Sequence, residues 1–143
     1  MTLRQISVFL ENKKGRLAEV IGLIAREKIN IRALALADTA DFGVLRLIVN
    51  DTERCIAALK QAGFVAQKTE VLAVEISDRP GGLQRVLEVF DRMELNIEYM
   101  YAFVERKADN AIVIFRTDQP AKAAKTLAGE GIAVLSEEAI GKF

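Results

Sequence analysis

The sequence predicts an α+β chain built from two tandem ferredoxin-like units, each a βαββαβ arrangement with an antiparallel sheet and both helices on one face. Three observations predict it. The chain repeats itself at an offset of 66; its hydrophobic period alternates between two and 3.6 residues within each copy; and its 143 residues are 51% hydrophobic and 28% charged, ample for packed cores.

The repeat is read from Ile6, Val8 and Leu10 falling on Leu72, Val74 and Ile76, and from Gly15 and Leu17 falling on Gly81 and Leu83. Val20, Ile21 and Ile24 meet Val86, Leu87 and Phe90, and the triplet Ile29-Asn30-Ile31 meets Leu95-Asn96-Ile97. Leu59 and Gly63 then answer Leu127 and Gly131, a drift in offset that a short insertion after the second strand would produce. The expected boundary lies at Thr69-Glu70, giving domains 1–69 and 70–143. No Gly/Ser- or Pro-rich linker marks it, so the copies are expected to pack as neighbours.

Within the first copy, Ile6, Val8 and Leu10 alternate with Gln5, Ser7 and Phe9, a strand with one face buried. Leu17, Val20, Ile21, Ile24 and Lys28 step along one helical stripe. Ile31 to Leu36 and Val44 to Val49 form a hairpin about the segment 38–43. Thr52 is expected to cap a helix burying Ile56 and Leu59, Gly63 ends it, and Phe64 to Gln67 is the last strand. The second copy repeats this order with Leu72 to Ser77, Gly82 to Met93, Ile97 to Val104, Ala111 to Arg116, Pro120 to Ala128 and Ile132 to Leu135. Pro120 suits a first helical turn. Ser136 to Ile140 reads as a capped helical turn anchored by Ile140.

Charge and residue usage restrict function. Twenty basic and 20 acidic residues cancel, leaving no field to steer a polyanion, so no nucleic-acid partner is expected. No apolar run approaches the length that spans a bilayer, and Arg4 interrupts the start of the chain, so neither membrane insertion nor a signal segment is expected; a cytoplasmic location follows. Cys55 is alone and histidine is absent. These two facts remove a disulfide framework, most metal sites and any scheme that needs an imidazole, so neither a cofactor nor a metal is expected and catalysis is not the expected role. Cys55 reads as a small apolar filler.

The candidate site is the turn from first strand to first helix, Asn12-Lys13-Lys14-Gly15-Arg16-Leu17, answered by Asp78-Arg79-Pro80-Gly81-Gly82-Leu83. Gly15 and Gly81 admit close backbone approach, and the helix start behind them attracts a carboxylate. The plainer alternative is a tight turn that needs glycine. Asn30 and Asn96 follow the first helix of each copy; they either stop a helix in the left-handed conformation or offer a side-chain amide to a ligand. Tyr99, Met100, Tyr101 and Phe103, where the first copy has Ala33, Leu34, Ala35 and Ala37, either fill space at a domain seam or bring a tyrosine hydroxyl to a ligand.

At these residues the chain resembles the ACT domain family. That family's pattern is a strand ending in Asn or Asp, a short gap, Pro-Gly and Leu entering a helix, then an apolar-Asn-Ile triplet opening the second strand. The second copy matches it well; the first departs at Lys14, which replaces the proline. In detail the chain is similar to small stand-alone proteins of two such domains. The resemblance implies domains packed side by side and a non-catalytic regulatory role, with a free amino acid held where the helix-start loop of one domain meets the first-helix and second-strand region of its partner. Carried over, the ligand-binding positions are Asn12, Gly15, Leu17 and Asn30, and Asp78, Gly81, Leu83 and Asn96. Backbone amides after the glycine would take the carboxylate, and Asn12, Asp78 and the two later asparagines the ammonium group. A homodimer or a regulated partner protein would carry the signal onward.

Two other classes share this architecture. One is a protein–protein interaction module that keeps the fold without a ligand. The other is an enzyme or RNA binder, against which stand the missing histidine, the lack of a nucleotide or nucleophile motif, and a third strand, Phe42 to Leu47, without the aromatic pair of RNA-binding sheets.

Overall fold

The computed structural model describes residues 1–38, 41–104 and 107–141. In chain order the elements are β1 Leu3–Glu11, α1 Arg16–Arg26, β2 Ile31–Asp38, β3 Phe42–Val49, α2 Thr52–Gln61 and β4 Val65–Ser77. They continue with α3 Gly82–Arg92, β5 Ile97–Ala102, β6 Asn110–Thr117, α4 Pro120–Gly129, β7 Val134–Leu135 and α5 Glu137–Gly141. Two compact units form, Arg4–Thr69 and Met1–Leu3 with Glu70–Phe143.

In the N-terminal unit the strands lie in the order β2-β3-β1-β4. β1 and β3 are antiparallel, Ile6 opposite Leu47 and Leu10 opposite Gly43, and β2 pairs β3 on its other side. Successive side chains point to opposite faces, so Ile6, Val8, Leu10, Leu45 and Leu47 share one face, where Val20 and Ile24 of α1 and Cys55, Ile56 and Leu59 of α2 cover them. Both helices therefore sit on one side of the sheet, as the sequence predicts.

The C-terminal unit repeats the plan with the order β5-β6-β4-β7, all antiparallel. Leu72, Val74 and Ile76 pack with Val86, Phe90, Phe115 and Leu127. The Phe90 and Phe115 rings lie 5.2 Å apart at a tilt of 37°, within the range favoured for aromatic pairs.

Several details differ from the expected elements. Phe64 to Gln67 and Leu72 to Ser77 are not two separate strands; β4 is continuous from Val65 to Ser77, because nothing between them, Lys68-Thr69-Glu70-Val71, is a glycine or proline that would break it. The second face of β1 is also covered: Gln5 and Ser7 are buried. The Gln5 Nε2 donates to Ser7 Oγ at 3.0 Å, which lets polar side chains enter a packed region. Phe42 and Gly43 belong to β3 and not to the hairpin loop, and Thr39 and Ala40 of that loop lie outside the described residues. Asp51, not Thr52, caps α2, its carboxylate accepting from the Arg54 amide at 3.2 Å.

All four long helices stop in one way. The residue after each C-cap is left-handed, at Lys28, Gly63, Glu94 and Gly131, and paired amides reach back, as in Lys28 N to Ala25 O and Ile29 N to Ile24 O. Lys28 is thus a helix stop and does not continue the stripe. Ser136 caps α5 through the Ala139 amide at 3.1 Å, and Ile140 is buried.

Candidate ligand site at the strand-to-helix turns

The two predicted turns have one geometry. Gly15 has φ 89° and ψ −14°, and Gly81 has φ 87° and ψ −9°. The Arg16 amide donates to the Lys13 carbonyl at 3.3 Å, and the Gly82 amide to the Arg79 carbonyl at 3.0 Å. These are type II turns, whose third residue needs positive φ, hence glycine, and whose second residue suits proline. Pro80 takes that second position and Lys14 answers it. One more bond fixes each turn to its hairpin: Asn12 N to Asp41 O at 3.0 Å, and Asp78 N to Asp109 O at 3.3 Å.

Behind each glycine a helix begins with no side-chain cap. The first amides of a helix lack partners within it and carry the positive end of its dipole, so both turns present donors suited to an anion.

Beside the first turn lies a hollow of about 60 Å³ lined by Asn12, Lys13, Arg16, Leu17, Leu36 and Gly43. The structure therefore brings Asn12 and Leu17 together next to Gly15. Leu36 and Gly43 escaped the sequence reading, since they come from the ends of β2 and β3 and carry no motif of their own. Three ion pairs surround the hollow: Lys13 to Glu11 at 2.8 Å, Arg16 to Glu19 at 3.0 Å and Arg16 to Glu11 at 3.4 Å. The Lys13 ammonium foremost, then Arg16, holds the Glu11 carboxyl below its ordinary range. Glu19 foremost, then Glu11, raises the Arg16 guanidinium above its own.

Asn30 does not join Asn12. It sits beyond the far end of α1, an 11-residue helix about 16 Å long, with its amide accepted by the Asn50 Oδ1 at 3.0 Å and its carbonyl accepting from the Asn50 amide at 3.1 Å. Asn96 likewise stands across α3 from Asp78, Gly81 and Leu83, its carbonyl accepting from Thr117 Oγ1 at 2.9 Å. Neither asparagine stops its helix; Lys28 and Glu94 do so two residues earlier. Leu17 and Leu83 are both partly exposed beside their turns, and so are Leu34 and Leu36 on the edge strand β2. Tyr99 and Tyr101 stack with centroids 6.5 Å apart.

Cys55 is fully buried, and burial foremost, then the Asp51 charge, pushes its thiol up to about 11. It is a packed side chain and not a nucleophile at neutral pH. Among the described residues no cluster of acidic or cysteine side chains could hold a metal ion, and no helix is long and apolar enough to cross a membrane.

The doubled βαββαβ plan with a glycine turn ahead of each first helix is an arrangement of two tandem ferredoxin-like domains. Residues 1–143 match the family described as an ACT domain pair, and the chain belongs to that family. It is 37% identical to a protein of Bacteroides thetaiotaomicron of known structure, covering 100% of this chain and 98% of that one with a TM-score of 0.93. The ligand-free regulatory subunit of aspartate kinase from Thermus thermophilus shares the fold at 14% identity, with a TM-score of 0.63 over 90% of this chain and 96% of that one. The same subunit from Thermus flavus gives 15%, 0.62, 99% and 94%. No curated protein matches the chain.

Proposed function

We propose that this ACT domain pair is a non-catalytic sensor that binds a free amino acid at its glycine turns. The observation that supports it most is the recurrence of a left-handed glycine before an uncapped helix start, at Gly15 and Gly81, with an exposed leucine following each. Helix-start amides suit the α-carboxylate, and Asn12 or Asp78 accepts from the ammonium group. Within one unit the 11-residue helix α1 separates Asn12 from Asn30, so in this reading one amino acid does not bridge the two. A ligand touching both types needs a turn and an asparagine from two ACT domains, which a second copy of the chain can supply.

Regulatory subunits of aspartate kinase carry the same fold, and a sensor without an attached enzyme would signal through a partner protein or its own assembly state. The exposed apolar edge of β2, Leu34 and Leu36, favours a second reading, a protein-interaction module without a ligand. The test is a thermal-shift screen of the full chain against the proteinogenic amino acids. A binding amino acid at about 100 times its Kd stabilises by roughly 2.7 kcal/mol, and Asn12→Ala or Asn96→Ala removes the shift. No shift with any amino acid favours the interaction module.

A further inference from the structure

Two phenylalanines of the N-terminal unit stand exposed on the face of its sheet that the helices leave uncovered. Along β1 the side chains of Ser7, Phe9 and Glu11 alternate with the helix-facing Ile6, Val8 and Leu10; in the ladder Phe9 lies opposite Val44 and Glu11 opposite Phe42. Phe9 and Phe42 are therefore diagonal neighbours on one face, a spacing that aromatic rings can bridge. Val65 joins them. β4 lies beside β1, the Thr69 hydroxyl is 3.5 Å from that of Ser7, and alternation back from Thr69 puts Val65 on the same face. The three are 40%, 55% and 66% exposed.

The C-terminal unit serves as an internal control. Its equivalent positions hold Glu75, Asn110 and Ala133: Ser77 faces Asn110 as Glu11 faces Phe42, and Ala133 stands two residues past Gly131 as Val65 does past Gly63. The Glu75 amide donates to the Ala133 carbonyl at 2.9 Å, and its Oε2 accepts from the Asn110 side-chain amide at 3.1 Å. A polar pair and an alanine thus complete this face of a βαββαβ sheet, so the fold itself does not require two rings and a valine there. Large apolar side chains left this open point to a contact outside the unit.

Size and charge narrow the partner. The exposed parts of the three side chains present about 300 Å², well under the ~800 Å² per partner of a stable interface. That is too little to hold two copies together and enough to seat a short segment by a few anchoring side chains. Asp41, which precedes Phe42, is exposed and its carboxylate makes no ion pair among the described residues, whereas the Glu11 carboxylate is taken by Lys13 and Arg16. An exposed carboxylate beside two rings favours a cationic side chain, which ring faces also attract.

We propose that Phe9, Phe42 and Val65 form a docking patch for a short segment of another protein, one that presents apolar side chains with a lysine or arginine beside them. The patch belongs to the first copy and stands whether or not the glycine turns bind an amino acid.

The test pans random peptides displayed on phage against the full chain and against a variant carrying Phe9→Glu, Phe42→Asn and Val65→Ala, the residues the second copy holds at these places, with no amino acid added. The wild type enriches peptides that combine apolar residues with lysine or arginine. In fluorescence anisotropy the synthetic peptide binds the variant about tenfold more weakly or worse, as when aromatic anchors are truncated, while the variant melts where the wild type does. Asp41→Asn weakens binding by a smaller factor that shrinks as salt is added, and Lys122→Ala on α4 leaves it unchanged. No enrichment on the wild type, or equal binding of the enriched peptides to both proteins, overturns the patch. A wild type that sediments as a dimer, with the variant a monomer, overturns the partner in favour of a second copy. Should the triple variant fail to fold, Phe42→Asn alone carries the comparison, and unchanged peptide affinity in it overturns the proposal.

Discussion

Lys28 and Glu94 hold the same left-handed backbone conformation, φ 57° and 56°, at equivalent helix ends in the two copies. Side chains with a Cβ are strained there by roughly 1–2 kcal/mol, and the other two helix ends use Gly63 and Gly131. Lys28→Gly and Glu94→Gly are each expected to stabilise the protein by about 0.5–1 kcal/mol after the added chain entropy of glycine. A higher urea midpoint at unchanged m-value is the sign to look for; a lower midpoint would show that these side chains make contacts worth more than the strain.

Lys14 occupies the position of a type II turn that Pro80 fills in the second copy. Lys14→Pro should stabilise by about 0.4–1 kcal/mol by restricting the unfolded chain, and Pro80→Lys should cost a similar amount. Thermal melts of the two variants, run side by side, check both directions.

Gly15 and Gly82 look alike in sequence and differ in what an added methyl would meet. Around a Cβ on Gly15 there is open space, so Gly15→Ala costs only the strain of φ 89°, about 1–2 kcal/mol. Gly82→Ala drives a methyl into the Ser77 carbonyl oxygen and should cost more than about 3 kcal/mol or prevent folding. Equal losses in chemical denaturation would show that β4 and α3 can separate cheaply.

The Cys55 thiol, raised to about 11 from an ordinary value of 9.0, makes stability depend on alkaline pH. The unfolded chain loses this proton first, so between pH 9 and 11 the folded state is progressively disfavoured, by roughly 2–3 kcal/mol at the upper end. Below that window the thiol is neutral in both states and contributes no slope. Denaturation curves of the wild type and Cys55→Ala should diverge only above about pH 9; parallel curves would remove the effect.

The doubled architecture was legible because apolar residues at Ile6, Val8 and Leu10 recur at Leu72, Val74 and Ile76 together with the glycines that punctuate them. The turn was legible too, since positive φ selects glycine strongly. Helix ends at Lys28 and Glu94 were not: tertiary packing of Ile29 and Leu95 imposes a conformation their own side chains do not favour. Gly82 was indistinguishable from its neighbour Gly81, because what forbids a side chain there is the Ser77 carbonyl, five residues earlier. The separation of Asn12 from Asn30 follows from helix length, and the sequence repeat, which shows them recurring together, does not reveal it. Leu36 and Gly43 reach the hollow from strand ends, where sequence distance hides proximity.

The amide of Asn12 reaches the Asp41 carbonyl, and that of Asp78 the Asp109 carbonyl, although the second hairpin is two residues longer by the drift of the repeat. The same fastening thus holds in both copies although their hairpins differ in length. A displacement of the turn at Asn12 or Asp78 is therefore handed directly to the base of its hairpin at Asp41 or Asp109.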